Sequence, residues 1–220
     1  MISVAGITVC YSLRWAPVAI LFSTRSSARD GEDFFDLQVM SATSDIKRIR
    51  KLDWTGLRFL WARIASGSTP GWHAGKALEH LVLRAFELDG AIVTWPYGVQ
   101  MSGDEIEQID GAIYCGGLSC LLECKDSVDS ANIEPIAKLR NQLLRRPAGV
   151  IGIVVSRGGF TEPAQTLAQF LSPQTVLLYG GEEVNYLLEQ EKMVAPLLTK
   201  YRYCVEHGLR NFDNRVEAIP

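Results

Sequence analysis

This chain is poorly equipped for zinc. Its three histidines, His73, His80 and His207, are scattered, and its five cysteines (Cys10, Cys115, Cys120, Cys124 and Cys204) include no Cys-X2-Cys pair. The usual tetrahedral ligand set is therefore not assembled. The odd number of cysteines argues against a complete disulfide framework and fits free thiols in a reducing cytoplasm. No histidine is placed to activate a cysteine nucleophile. Excess positive charge is also lacking: 22 Lys and Arg stand against 25 Asp and Glu, a net charge of −3. A nucleic-acid partner would have to be met by a local basic face. Long apolar runs are missing too. The stretch Val4–Phe22 comes nearest, but Arg14 and Pro17 interrupt it and no basic segment precedes it. It reads as a strand or two, or a loosely attached extension, and not as a membrane span or signal peptide. No internal repeat or low-complexity segment is visible.

What is present is enough for one sizeable core in 220 residues, with ordinary apolar and charged fractions. Ser23–Arg50 is polar, and Lys47, Arg48, Arg50 and Lys51 make a solvated helix end with the charge to touch phosphates. Asp53 or Thr55 is placed to cap a short helix through Ile64. Ser66–Gly71 reads as a linker. A helix follows from Gly75 to Leu88, stopped by Asp89-Gly90. Ala91–Trp95 is a strand, Pro96–Gly103 a loop, and Glu105–Tyr114 and Ser119–Lys125 two further strands. Then come a helix over Ile133–Arg146, a continuous apolar strand at Val150–Val155, a helix over Thr161–Leu171 and a strand at Thr175–Tyr179. A last helix covers Glu182–Tyr203, with a break expected at Pro196. This order implies an α/β fold: a mixed central β-sheet flanked by helices on both faces.

The chemistry concentrates in one hairpin. Gly116-Gly117 is a two-residue turn signal, since both positions tolerate positive φ. With that turn, Cys115 pairs with Leu118, and Asp110 lands opposite Glu123. Cross-strand partners have Cβ atoms about 4.5–5.5 Å apart. Lys125, two residues on, projects from the same face as Glu123 and Leu121, while Cys120, Leu122 and Cys124 point the other way. Two carboxylates so close repel each other unless a cation lies between them. A hard divalent ion such as Mg2+ prefers oxygen ligands and keeps several waters. Such an ion can activate a water and offset charge on a phosphodiester. Lys125 can position that water or stabilise the developing negative charge. The plainer alternative is a cross-strand ion-pair cluster on a sheet.

The arrangement Asp110-X12-Glu123-Cys124-Lys125 resembles the PD-(D/E)XK nuclease superfamily, with its nearest likeness in the Mrr-like restriction endonuclease branch. Gly75-Lys76-Ala77-Leu78-Glu79 resembles the first core helix of that fold, and Ile109-Asp110-Gly111 the segment bearing the first acidic residue. Gly152–Ser156, followed by Gly159-Phe160-Thr161 and Ala164, resembles the later strand and helix start. The likeness covers about 90 residues. It departs from the motif at Ile109, which stands where the motif name has proline, and at Glu123, where many members of the branch have glutamine.

The resemblance implies a restriction-endonuclease-like core over 71–207, preceded by an N-terminal extension, 1–70, and followed by a tail, 208–220. It implies Asp110, Glu123 and Glu79 as Mg2+ ligands, with Mn2+ able to substitute, and Lys125 as a catalytic partner. It implies DNA as substrate in restriction or defence, with RNA not distinguished, no membrane partner, and a homodimer of the kind that cuts both strands. Glu79 continues an apolar row with Val82, Leu83 and Phe86, so a charge there needs a partner. The superfamily often carries a supporting polar residue on the helix after the hairpin, for which Lys138 and Gln142 are the candidates. Lys138, Gln142 and Arg145 lie on adjoining helix rows fit to face a phosphate backbone, and Arg157 sits in a strand-to-helix loop of the kind that approaches ligands. His73, His80 and Trp72 read as packed or surface residues. The alternative function is a non-catalytic nucleic-acid-binding or interaction domain that keeps the fold.

Overall fold

In the computed structural model the described residues are 44–102 and 104–216, and all lie within one compact unit, Gln38–Pro220. The apolar stretch Val4–Phe22 and Cys10 lie outside the described residues. None of the described helices is long and apolar enough to cross a membrane.

A short helix α1 (44–49) leads to α2 (Trp54–Ala65), whose start is set by Asp53: its carboxylate accepts the Gly56 N–H at 2.8 Å. Ile49, Leu57, Leu60, Trp61 and Ile64 are buried in the same core as α3 (Lys76–Leu88). Residues 49–64 thus contribute to the same core as α3.

The sheet follows. Strands β1 (Ile92–Thr94), β4 (Gly111–Cys115) and β5 (Leu118–Lys125) run antiparallel to their neighbours, and β6 (Val150–Ser156) and β7 (Val176–Gly180) extend β5 in parallel, giving the order β1-β4-β5-β6-β7. The parallel steps are crossed by α4 (Glu134–Leu143) and α5 (Glu162–Gln169). Side-chain alternation divides the apolar residues between the faces. Ile113, Cys120, Leu122 and Val155 pack with α3, while Ala112, Leu121 and Val154 pack with Ile136 and Leu139 of α4 and Ala164 of α5. Strand β6, flanked on both sides, is buried almost throughout, as its continuous apolar run requires.

Two expectations need correction. Pro96–Gly103 is not a loop: Tyr97–Met101 forms β2, paired with β3 (Asp104–Ile109) as a separate two-stranded ribbon. Accordingly 105–114 is not one strand but two, separated at Asp110. The turn signals around 96 and 103 concealed a short ribbon whose pairing is mostly local. The final helical region also divides before Pro196. Helix α6 (Gly181–Gln190) ends at Glu191, which has positive φ, and α7 (Val194–His207) carries Pro196 in its first turn, where a missing N–H costs nothing. Beyond α7 the chain returns to the sheet, where Leu178 N donates to Arg210 O at 3.1 Å. Lys200, wholly buried, donates to Glu183 at 2.8 Å, and Glu183 also accepts from Asn214.

Candidate active site

The hairpin register is the one its turn dictates. Gly116 and Gly117 have φ of 54° and 82°, and pairing runs from Cys115–Leu118 back to Gly111–Leu122. One step further along the two chains stand Asp110 and Glu123. There the ladder stops, and the Asp110 carboxylate takes the place of a backbone acceptor: its Oδ2 accepts the Cys124 N–H at 2.8 Å. Asp110 therefore sits where the chain passes from the β2–β3 ribbon into the main sheet. Gly111 makes that passage possible. Its φ is 155°, and a Cβ there would stand 2.7 Å from both terminal carbons of Leu83 on α3 and 3.0 Å from Thr94 O.

Three elements converge on this junction. Glu123 and Lys125 share the face of Leu121, toward α4. From α4, Lys138 Nζ donates to Glu123 Oε2 at 2.6 Å. From α3, on the opposite face, comes Glu79, whose two oxygens accept from Lys76 Nζ at 3.0 and 2.8 Å. Asp110, between them, raises the proton affinity of both glutamates. Glu79, Asp110 and Glu123 are all buried, while Lys125 reaches the exposed rim.

Burial and mutual repulsion set the electrostatics. Burial, then the Asp110 charge, push Glu79 and Glu123 each up to about 7. Burial likewise raises Asp110, against the opposing Cys124 hydrogen bond and the charges of Lys138 and Lys76. Burial works against the charge on Lys138, but the Glu123 carboxylate holds it above the ordinary lysine range. Lys76 and Lys138 neutralise the outer carboxylates, and the centre keeps an unmet demand for positive charge.

This donor set suits a hard divalent cation. All three ligand candidates are carboxylates, and the hydrogen bonds from Cys124 N and Lys138 Nζ each engage only one oxygen of their partner. As the side chains stand, no three His, Cys, Asp or Glu groups among the described residues are gathered closely enough to chelate an ion. Lys138 instead holds the Glu123 carboxylate.

The structure brings together Glu79, Asp110, Glu123, Lys125 and Lys138. It does not bring the other candidates to the same place. Gln142 is 4% exposed, and its Nε2 donates to Gln108 O at 3.0 Å, so it ties α4 to the ribbon and is closed to a phosphate. Arg145, with Arg146, is bound to the buried Glu107 of β3. The Arg157 side chain is 14% exposed, with Nε donating to Asp126 Oδ1 at 2.6 Å and a further bond to Ala65 O. All three have protein partners that lie far from them in sequence, which helix-face reasoning cannot see, though the Arg145 side chain stays half exposed. Lys76 is the site residue that reasoning missed. Its signal was present as the i,i+3 spacing of Lys76 and Glu79 on one helix.

His80 and Trp72 are packed residues, as expected. His80 is buried, its ring 5.6 Å from those of both Trp72 and Trp95.

A family model described as restriction endonuclease, that of the Mrr catalytic domain, matches residues 73–188. No curated protein is similar enough to match. Among solved structures, a protein of unknown function, AF1548, is 19% identical, with 60% of this chain and 77% of that chain covered and a TM-score of 0.43. The MspJI restriction endonuclease in complex with a 27-mer oligonucleotide is also 19% identical, with 82% of this chain and 39% of that chain covered and a TM-score of 0.31.

Proposed function

The chain belongs to the restriction endonuclease family of Mrr catalytic domains, and from that membership and the geometry at the β3–β4 junction we propose that it is a Mg2+-dependent endonuclease hydrolysing phosphodiester bonds of DNA. The observation that carries the reading is the gathering of buried Asp110, bonded to Cys124 N beside Glu123, with Glu79 entering from α3 and Lys125 and Lys138 at the rim. An ordinary ion-pair cluster would not concentrate three buried carboxylates so that Asp110 destabilises the charge on both others.

Members of this family generally use divalent metal ions, and here Asp110 and Glu123, with Glu79 behind them, would hold Mg2+. When bound, the ion lowers the pKa of a coordinated water and offsets phosphate charge. The chain's own groups do the rest. The backbone N–H of Cys124 orients Asp110 through Oδ2. Lys76 fixes the rotamer of Glu79 from the preceding helical turn. Lys125, exposed beside Glu123, meets the scissile phosphate and steadies the negative charge that grows on it. Lys138, ion-paired to Glu123 and half exposed, holds that carboxylate in place and carries positive charge to the side of the site where substrate would enter.

The test is relaxation and linearisation of supercoiled plasmid with Mg2+, with Mn2+ and with EDTA, beside the Lys125→Ala and Asp110→Ala proteins. Metal-dependent cleavage lost in both folded variants supports the reading. Cleavage in EDTA, or full activity in both variants, overturns it. DNA binding without cleavage under any metal would instead identify a non-catalytic binding domain.

A further inference from the structure

Packed against Trp72 and Trp95 lies a basic segment that the catalytic reading leaves unused. Between 44 and 52 the chain carries Lys47, Arg48, Arg50 and Lys51 against a single acid, Asp45, in a protein whose net charge is −3. Asp45 and Ile49, four residues apart, are both buried and form the inner side of α1. Lys47 and Lys51, offset by two residues, share the outer side and are exposed. Neither forms an ion pair among the described residues.

The arginines are pinned. Arg48 lies with Cζ 4.5 Å from the centre of the Trp72 ring and donates to Gly71 O at 2.7 Å. Arg50 lies 5.4 Å from the centre of the Trp95 ring, with Glu87 as its ion-pair partner. Between the two indoles stands His80, so that Arg48, Trp72, His80, Trp95 and Arg50 form one layered stack.

That stack is fastened to the site. His80 follows Glu79 in α3, and its Nδ1 lies 2.8 Å from Lys76 O. Trp95 follows Thr94, which pairs with Ala112, two residues from Asp110. A polyanion whose scissile phosphate sits at Asp110 and Glu123 continues for several nucleotides on either side, and α1 is tied through Trp72, His80 and Trp95 to the two elements, α3 and β1, that flank this site.

We propose that Lys47 and Lys51 bind the phosphate backbone of the DNA flanking the scissile bond, with Arg48 and the Trp72–His80–Trp95 cluster holding α1 in place to do so. The proposal rests on the nuclease reading and assigns that site a substrate-binding surface. Backbone contacts of this kind carry little sequence information. They set register and affinity through counterion release.

The test measures binding of a fluorescent 20-bp DNA duplex by anisotropy, with Mg2+, across a KCl series. All proteins carry Lys125→Ala so that the substrate survives. The Lys47→Ala/Lys51→Ala protein is compared with Lys47→Arg/Lys51→Arg and with a control altered at two other exposed cations, Lys192→Ala/Arg202→Ala. Each lost phosphate contact should lower the slope of log affinity against log salt by about 0.9. The alanine pair should therefore flatten the slope by about 2 and weaken binding roughly tenfold at moderate salt. The arginine pair and the control should behave as the parent does. An unchanged slope in the alanine pair, an equal loss in the control, or no binding by the parent overturns the proposal. Plasmid cleavage by the otherwise wild-type chain is scored separately. Cleavage that survives any of these results leaves the nuclease reading standing, and its absence removes that reading whatever the binding shows.

Discussion

Raising the pH of the metal-free protein from 5 to 8 should cost it stability, and replacing Glu123 with glutamine should abolish much of that cost. The folded-state values for Glu79 and Glu123 are about 7, against 4.5 for an unburied glutamate. Between these limits the folded chain holds more protons than the unfolded one. Stability therefore falls as pH rises through the window, the reverse of the usual paired carboxylate. The three carboxylates titrate together, so a single proton is counted. At 1.36 kcal/mol per unit, the interval amounts to about 3 kcal/mol. For a domain of this size that is roughly 6–12 °C in Tm. Scanning calorimetry in EDTA at pH 5, 6, 7 and 8 reads it directly. The Glu123→Gln protein should match wild type near pH 5, where the glutamate is protonated, and exceed it at pH 8. Excess Mg2+ should stabilise wild type far more at pH 8 than at pH 5, because protons and the ion compete for the same oxygens. A wild-type Tm that is flat or rising from pH 5 to 8, or a glutamine variant less stable at both ends, would refute the electrostatic account of the site.

Three further outcomes follow from single contacts. Asp110→Asn should lower plasmid cleavage by at least about a hundredfold while leaving circular dichroism and the melting transition near wild type, since the amide oxygen still accepts from Cys124 N. Gly111→Ala should cost about 2–3 kcal/mol in urea unfolding, because its Cβ would stand 2.7 Å from Leu83, and trimming that neighbour in Gly111→Ala/Leu83→Ala should not restore full stability, since the positive φ remains. Lys200→Met should cost about 3–5 kcal/mol by the same assay, because it leaves the Glu183 carboxylate buried without its partner, and Lys200→Met/Glu183→Leu should recover part of that loss.

The sequence was most readable where one local rule decided the geometry. Two glycines at 116–117 admit one tight turn, and a tight turn admits one register, so the pairing from Cys115–Leu118 to Gly111–Leu122 followed from counting. The same holds for β6, whose apolar run is long enough to need covering on both faces. Legibility failed where the deciding partner was distant. Gln142 lies on a helix row that looks solvent-facing until the β2–β3 ribbon covers it, and the half-exposed Arg145 beside it pairs with Glu107 of the same ribbon, which was hidden behind the turn signals of 96–103. Arg157 was read as open to ligand because its loop follows a buried strand, but the side chain turns back to Asp126 and Ala65. Charge type can be read from sequence, whereas the identity of a counter-ion thirty or more residues away cannot.

The cluster's position explains why it can be both strained and stable. Three buried carboxylates in one place oppose folding at neutral pH, yet each is held from a different layer: Glu79 by a helix on one face, Glu123 by the central strand, and Asp110 by the hinge between ribbon and sheet. Relaxing any one of them would mean shifting Leu81 and Leu83 of α3 against Ile113 and Leu122, or Leu139 of α4 against Leu121, and these contacts are fully or nearly fully buried. Burying each such side chain contributes about 1.5–3 kcal/mol, so a handful of them outweighs the cost of about 3 kcal/mol that burial and repulsion together place on a charged glutamate here. The core on both faces thus keeps the carboxylates from separating, and their repulsion persists as a standing affinity for a cation. On this account a cavity in that packing, such as Leu139→Ala, should weaken Mg2+ binding measured by titration calorimetry as well as stability. A variant that loses stability but binds Mg2+ as tightly as wild type would show that the carboxylates find their geometry without the core's constraint.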